Sequence, residues 1–165
     1  MTARVELRAP AAFKAEAATC RAVFRRVLPL LGDTLELGVA LVDRGEMADL
    51  NGRFRQQPNA TDVLSFDGDA EGTWLGDVAV CVPVARDQAR ALGHPAGLEL
   101  AVLCVHALVH LSGLDHERGE DEAQLQAEIE MGLLSVLGLP PEAALTRRGM
   151  SGSTTGPTAR RRHPR

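Results

Sequence analysis

The chain has 165 residues, of which 45% are hydrophobic and 24% are charged, and this composition excludes a wholly disordered protein. At roughly 150 residues per domain, the length predicts a single domain. No apolar run reaches the roughly 18 residues that a membrane-spanning helix needs, and the N-terminal residues lack the apolar core of a signal peptide. We therefore expect a cytoplasmic protein with no membrane partner.

The first part of the sequence alternates between strand and helix patterns. Residues 3–8 alternate apolar and polar side chains, as a half-buried strand does. Apolar side chains recur at helical spacing over 11–31, and Gly32 ends that pattern. A second strand is predicted over 34–42. A short helix is predicted over 43–51 because an aspartate stands at its N-cap position, and a polar loop follows it.

The alternation continues in the second part of the sequence. Strands are predicted over 62–66 and 75–82, and a helix over 83–92 has proline at its first position. The apolar stretch 97–111 predicts a buried helix, and 120–137 predicts the last one. These segments together predict an α/β or α+β domain in which a small mixed sheet is packed by about five helices.

The composition changes near residue 146. Residues 146–165 are mostly Gly, Ser, Thr, Pro and Arg, which predicts a disordered basic tail after a single domain at 1–145. Glu142 is the last acidic residue, and six arginines follow it. The first 146 residues therefore carry 12 basic and 22 acidic side chains, a net charge of −10. An acidic body of this kind does not by itself indicate nucleic-acid binding.

Cysteine is sparse in this chain. Cys20, Cys81 and Cys104 form an odd set without a CxxC motif, which argues against a disulfide framework. We expect each of the three to be a small core residue.

Histidines are concentrated near the predicted fourth helix. His106 and His110 are four residues apart, so both imidazoles share one helix face. Gly113 allows the chain to leave the helix in a left-handed conformation, after which His116 can complete a set of three. Three neutral imidazoles that leave a fourth position open are typical of a catalytic zinc site, so we predict a metal site here. His94 has no partner at ligand spacing and is expected at the surface.

The spacing of these three histidines and the glycine matches the metzincin metalloprotease pattern. Metzincins carry a glutamate directly after the first histidine, where it acts as the general base. Here that position is Ala107. We therefore expect metzincin-like ligand geometry without the peptidase mechanism.

A second group of polar residues precedes the third predicted strand. Arg53 and Arg55 are candidates for binding phosphate, although loop arginines are more often solvated. Thr61 and Asp62 can tie the loop through hydrogen bonds to the backbone. Asp77 fits either a turn or a partner for a ligand histidine.

Three sequence strings in this order resemble the YbeY family of bacterial endoribonucleases. They are TDVLSF at 61–66, LGD at 75–77 and HxxxHLxGxDH at 106–116. The resemblance extends over about residues 35–139 and includes Arg55 upstream of the first string.

The resemblance implies a metal-dependent enzyme that cleaves single-stranded RNA, with roles in 16S rRNA 3′-end maturation and in ribosome quality control. It implies that His106, His110 and His116 bind one metal ion, usually taken to be Zn²⁺ although other divalent metals stay open. It also implies a functional role for Arg55 and a small sheet packed with helices. The implied partners are rRNA and the ribosome or its small-subunit proteins.

The residues do not identify the general base. Asp115 adjoins a predicted ligand and is a candidate catalytic residue together with Arg55, and Asp62 and Asp77 are further carboxylates. Orientation of a ligand histidine is the stronger alternative for Asp115.

Two other functions stay open from sequence alone. One is a metal-dependent hydrolase of another substrate, such as a peptide, and the other is a non-enzymatic ribosome-assembly factor with a structural metal. The acidic body should repel RNA. Only 3% of the residues are aromatic, which predicts a poor supply of stacking surfaces for RNA bases, so we expect specificity to depend on context.

Overall fold

Four strands and six α-helices make up the part of the chain that the computed structural model describes, residues 3–69, 72–114 and 120–150. The strands are β1 (Arg4–Arg8), β2 (Glu36–Val42), β3 (Val63–Asp67) and β4 (Trp74–Cys81). The helices are α1 (Lys14–Leu31), α2 (Arg44–Arg55), α3 (Val82–Leu92), α4 (Ala96–Val109), α5 (Glu120–Val136) and α6 (Ala143–Met150). A 3-10 turn (Ala11–Phe13) precedes α1, and a π-helical turn (His110–Leu114) follows α4.

The strands form one mixed sheet in the order β1-β2-β4-β3. The first three strands in this order are parallel, and β3 runs antiparallel to β4 at the edge. Every parallel connection contains a helix, as such connections require. The predicted α+β class with a small mixed sheet is confirmed.

The element boundaries differ from the predictions at two places. Helix α2 was predicted to end near residue 51, but it continues to Arg55 and ends where Gln56 adopts a left-handed conformation with φ 56°. Met47 and Asn51 anchor this helix because both are buried, and the Asn51 Nδ2 donates to the Asn59 carbonyl oxygen at 2.7 Å. Helix α6 was not predicted and spans residue 146, where the tail was expected to begin. The expected disorder of 151–165 lies outside the described residues.

The two faces of the sheet are covered unequally. One face carries Leu37, Val39 and Val80 and packs against α1 and α4 in the main core. The other face carries Leu64 and Ala79 in a smaller cluster under α2. Alternation along each strand assigns these residues to opposite faces. The α2 face is therefore the less filled side of the sheet.

The three cysteines are buried and unbonded, as predicted. Burial raises the pKa of the Cys104 thiol, and the neighbouring Cys20 thiol adds to that shift. These side chains act as small core residues.

Helix α4 is the most apolar element of the described chain. By length and composition alone, Ala96–Gly113 could cross a membrane, contrary to the sequence-based expectation. In the fold, 61% of this window is buried inside the protein. It forms the central helix of the core, where α1, α3 and α5 pack around it.

His94 was predicted to lie at the surface, but the structure places it largely inside the protein. Its imidazole is 14% exposed, and its Nε2 lies 2.8 Å from Oε2 of Glu99, which is 3% exposed. The prediction was wrong because the partner is a glutamate in the first turn of α4, where the helix dipole favours a carboxylate. The pair links the α3–α4 connection to the main core.

The variant His94→Ala tests this pair. It leaves the buried Glu99 carboxylate without its imidazole partner, so we expect the free energy of unfolding to fall by about 3 kcal/mol in urea denaturation. The double variant His94→Ala/Glu99→Leu removes the buried charge as well and should recover most of that loss. A loss well below about 1 kcal/mol in the single variant would contradict the role given to the pair.

Candidate metal centre

Two of the three predicted metal ligands lie side by side at the end of α4. The rings of His106 and His110 have centroids 6.5 Å apart and planes inclined by 24°. The Nε2 atom of His110 is buried in the protein. The structure therefore confirms that both imidazoles share one helix face, as the four-residue spacing predicts.

The chain turns immediately after this pair. The π-helical turn contains Gly113 in the left-handed region, with φ 83° and ψ 6°, as predicted for this glycine. A residue with a Cβ atom would be strained in this conformation. His116 and Asp115 follow the turn and lie outside the described residues, so their roles stay predictions.

The imidazole of His106 is held by a carboxylate from another helix. Its Nδ1 lies 2.7 Å from Oε1 of Glu130 on α5, and Glu130 is 4% exposed. The same Oε1 also accepts a hydrogen bond from Gln126 Nε2 at 3.2 Å. A carboxylate only accepts, so Nδ1 is the donor in this hydrogen bond, and in a neutral ring Nε2 is then the nitrogen that carries the lone pair. Metal-binding histidines in proteins commonly have this arrangement.

Sequence reasoning missed Glu130. The buried side of α5 includes Ala127, Glu130 and Leu134, at helical spacing. A glutamate at an apolar position of a helix is a signal in the sequence, because a buried carboxylate needs a partner. The sequence does not show which residue this partner is. The partner is a histidine 24 positions earlier, and the contact depends on how α5 packs against α4.

The described residues fit a metal ion of the zinc type. Two imidazoles project from one helix face, and Glu130 fixes the orientation of one of them. Nitrogen donors of this kind suit Zn²⁺. Within the described ranges no three His, Cys, Asp or Glu side chains gather around one point.

Arg55 is the last residue of α2 and is half-buried. Burial lowers the pKa of its guanidinium, and the nearby Asp62 carboxylate opposes that shift. A guanidinium remains charged at neutral pH even so. Arg53, the other candidate for phosphate binding, is exposed to solvent.

Asp62 ties the loop to the sheet, as predicted. Its Oδ1 accepts from Val63 N at 2.7 Å, and its Oδ2 accepts from Gln88 Nε2 at 3.3 Å. Thr61 Oγ1 donates to Oδ1 over a longer 3.4 Å. These bonds hold the start of β3 in position beside Arg55.

Edge strand β3 extends between the two candidate groups. Arg55 lies by Asp62 at its start, and the strand ends where Asp67 pairs with Gly76. The turn after α4 meets this end, since Leu111 side-chain atoms lie about 3 Å from where a Cβ of Gly76 would be. Arg55 and the turn that follows His110 therefore lie beside the same edge strand.

Asp77 lies on the α2 face of the sheet. Its Oδ1 lies over Gly38 of β2, and the side chain lines a cavity under α2. Its role as a partner for a ligand histidine stays a prediction.

A family model described as Endoribonuclease YbeY matches residues 8–137 of this chain. The chain belongs to the YbeY family. The resemblance expected from the three sequence strings is thereby confirmed.

Relatives that carry this name come from several organisms. Endoribonuclease YbeY of Acidothermus cellulolyticus is 43% identical over 106 residues, which cover 56% of this chain and 65% of that protein. Endoribonuclease YbeY of Kineococcus radiotolerans is 37% identical over 134 residues, which cover 73% of this chain and 75% of that protein. The match thus spans just under two thirds of the first YbeY relative and three quarters of the second.

A solved structure supports the fold of this YbeY chain. The solution structure of TM1509 from Thermotoga maritima superposes with a TM-score of 0.62 at 22% identity. The match covers 93% of this chain and 97% of TM1509. The mixed α/β architecture is therefore shared with an experimentally determined structure.

The variant Glu130→Gln tests how His106 is oriented. It keeps the side-chain shape and removes the charge that holds the Nδ1 hydrogen, so we expect Zn²⁺ affinity to fall by about 10-fold or more. Competition with a chromophoric chelator measures this affinity. Exposed Glu128 on the same helix provides the matched control, and Glu128→Gln should bind Zn²⁺ as the unaltered protein does. Unchanged affinity in a folded Glu130→Gln protein would contradict the assignment.

Proposed function

We propose that this chain is a metal-dependent endoribonuclease that cleaves single-stranded RNA, and that it acts in 16S rRNA 3′-end maturation and in ribosome quality control. The observation that carries the proposal is the Glu130-oriented His106 beside His110 in a chain of the YbeY family. The family description and the relatives' names state the endoribonuclease activity.

His106, His110 and His116 are the proposed ligands of one Zn²⁺ ion. When bound, zinc supplies a Lewis acid that polarises a phosphoryl oxygen and acidifies a water molecule. Glu130 contributes by keeping the His106 Nδ1 protonated and its Nε2 available. The neutral imidazoles leave the charge of the ion undiminished, which suits a phosphodiester substrate.

Arg55 is the proposed group for the scissile phosphate. Its planar fork can donate two hydrogen bonds to phosphate oxygens and stabilise the negative charge that builds up during cleavage. Partial burial strengthens this interaction because the local dielectric constant is lower than in water. Bound RNA would follow β3, which extends from Arg55 to the turn after α4. Asp115 is proposed to act beside His116, either on a proton or on the orientation of that ring.

Ala107 favours this proposal over a peptidase. The alanine occupies the position of the metzincin general base, and it is fully buried in the main core. No acid is therefore available at that point of the helix.

The proposed location is the cytoplasm, and the proposed partners are rRNA and the ribosome or its small-subunit proteins. Three buried, unbonded cysteines suit a reducing compartment. An acidic protein that acts on RNA benefits from a partner that delivers the substrate.

The first test measures bound metal and RNA cleavage together in the unaltered protein and in His110→Ala. We expect both to be lost in the variant, because two remaining imidazoles hold zinc more weakly than three. His163→Ala, far along the chain from the triad, serves as the histidine control and should keep both. Cleavage that persists without metal would overturn the metal-dependent mechanism. A metal-loaded protein without cleavage would favour the ribosome-assembly factor.

Variants of Arg55 test the phosphate-binding role. We expect Arg55→Ala to lower kcat for a single-stranded rRNA fragment by about 100-fold. An enzyme that loses one hydrogen-bond donor to a developing oxyanion typically slows by about this factor. Arg55→Lys keeps the charge without the fork and should recover part of the rate. Arg53→Ala, two residues earlier and exposed, is the matched control and should cost little. Equal losses at both positions would show a general charge effect instead, and metal content should stay constant throughout.

A further inference from the structure

A cavity of about 410 Å³ lies between α2 and the less filled face of the sheet. Its volume is in the range of small-molecule binding sites. Charged side chains stand on opposite strands of the sheet, Arg8 on β1 and Asp77 on β4. The proposed phosphate-binding Arg55 and the histidine pair are not among its lining residues.

The walls of the cavity collect aromatic side chains. The whole chain has only four phenylalanines, one tryptophan and no tyrosine. Two of the phenylalanines are buried in the main core, and the other three aromatic residues, Phe54, Phe66 and Trp74, line this cavity. The rings of Phe54 and Phe66 pack edge to face, with their centroids 4.9 Å apart. This concentration makes the cavity suited to a flat, aromatic ligand.

The floor of the cavity is made of small residues. A Cβ atom on Gly38 would lie 2.3 Å from Asp77 Oδ1 and 3.0 Å from the Trp74 ring. Glycine at this position lets the carboxylate and the indole lie close against β2. Ala40 and Ala79 continue the floor toward α2.

We propose that this cavity binds a guanine base of single-stranded RNA, an inference that rests on the proposed function for its RNA source. Guanine stacks on the aromatic walls, and its N1–H and its 2-amino group donate to the Asp77 carboxylate. A carboxylate only accepts hydrogen bonds, and guanine is the one standard base with two adjacent donors on its pairing edge. Arg8 at the mouth has a side chain that is 73% exposed and lies 3.4 Å from the exposed Glu46 carboxylate. An exposed pair of this kind is weak, so the guanidinium can turn to the adjoining phosphate.

This site gives the protein a means of binding RNA that its net charge does not provide. The acidic body repels the phosphate backbone. Stacking and hydrogen bonding to one base do not depend on backbone charge, and base stacking on aromatic side chains is sequence-tolerant until a polar group selects the base. Asp77 supplies that selection.

Trp74 allows a direct test because it is the only tryptophan in the chain. Its fluorescence is followed while the protein is titrated with GMP, IMP, AMP or UMP. We expect quenching by GMP with a Kd about 10-fold below that for IMP, which lacks the 2-amino group, and below those for AMP and UMP. No quenching, or equal affinity for all four nucleotides, would overturn the proposal.

Two variants identify the recognising groups. Asp77→Asn should weaken GMP binding by about 10-fold and remove its advantage over AMP, while Asp49→Asn at an exposed position of α2 serves as the control. Phe54→Ala alters a wall residue that is already 37% exposed, and it should weaken the binding of all four nucleotides by a similar factor. GMP preference that survives Asp77→Asn would exclude the carboxylate as the selecting group.

Short RNAs separate the two sources of a guanine base. The oligonucleotide UUGUU should bind more tightly than GMP and more tightly than UUAUU, because its neighbouring phosphates reach Arg8. If UUGUU binds no better than GMP, the site takes a free guanine nucleotide and the RNA assignment is wrong.

Repeating the titrations with His110→Ala separates this inference from the enzymatic one. Guanine binding that persists in this variant shows that the cavity acts independently of the histidines. In the unaltered, metal-loaded protein, guanine binding without RNA cleavage would refute only the proposed function, and cleavage without guanine preference would refute only this cavity site.

Discussion

The hydrogen bond between His106 and Glu130 is the interaction on which the candidate centre depends. It joins α4 to α5 through a carboxylate with almost no access to solvent. Burial of such a group is unfavourable unless its oxygens find donors, and here the imidazole and Gln126 provide them. The bond orients the ring of a proposed metal ligand and also fixes how two helices pack. Docking of α5 against α4 and placement of the His106 ring are therefore parts of one process.

Local patterns predicted most of the fold and part of the site. Local sequence patterns located all four strands and the first five helices, with an N-cap aspartate marking α2 and a proline marking the start of α3. The relation of His106 to His110 and the left-handed Gly113 followed from helix geometry alone. Glu130 was not predicted because its contact spans 24 positions and exists only after α5 docks. Contacts of that kind depend on tertiary packing, which periodicity does not describe.

Composition was less informative than placement. The low aromatic content suggested a poor surface for RNA bases, but most of that content lies around one cavity beneath α2. His94 was expected at the surface because no ligand partner stood at the right spacing, and it proved to be the partner of a buried glutamate. In both cases the sequence showed which residues are present, but it did not show what surrounds them in the fold.

Gly76 connects two of the strings that identify the family. A side chain at this position would meet the Phe66 carbonyl oxygen at 2.3 Å and the Leu111 side chain at 2.9 Å. Leu111 follows His110 directly in the turn, so the space above Gly76 sets how deeply that turn seats against the sheet. A larger residue at position 76 would shift the turn and move a histidine that it never touches. The glycine of one string and the leucine of the other are thus halves of one steric fit, and we expect them to change in concert during divergence.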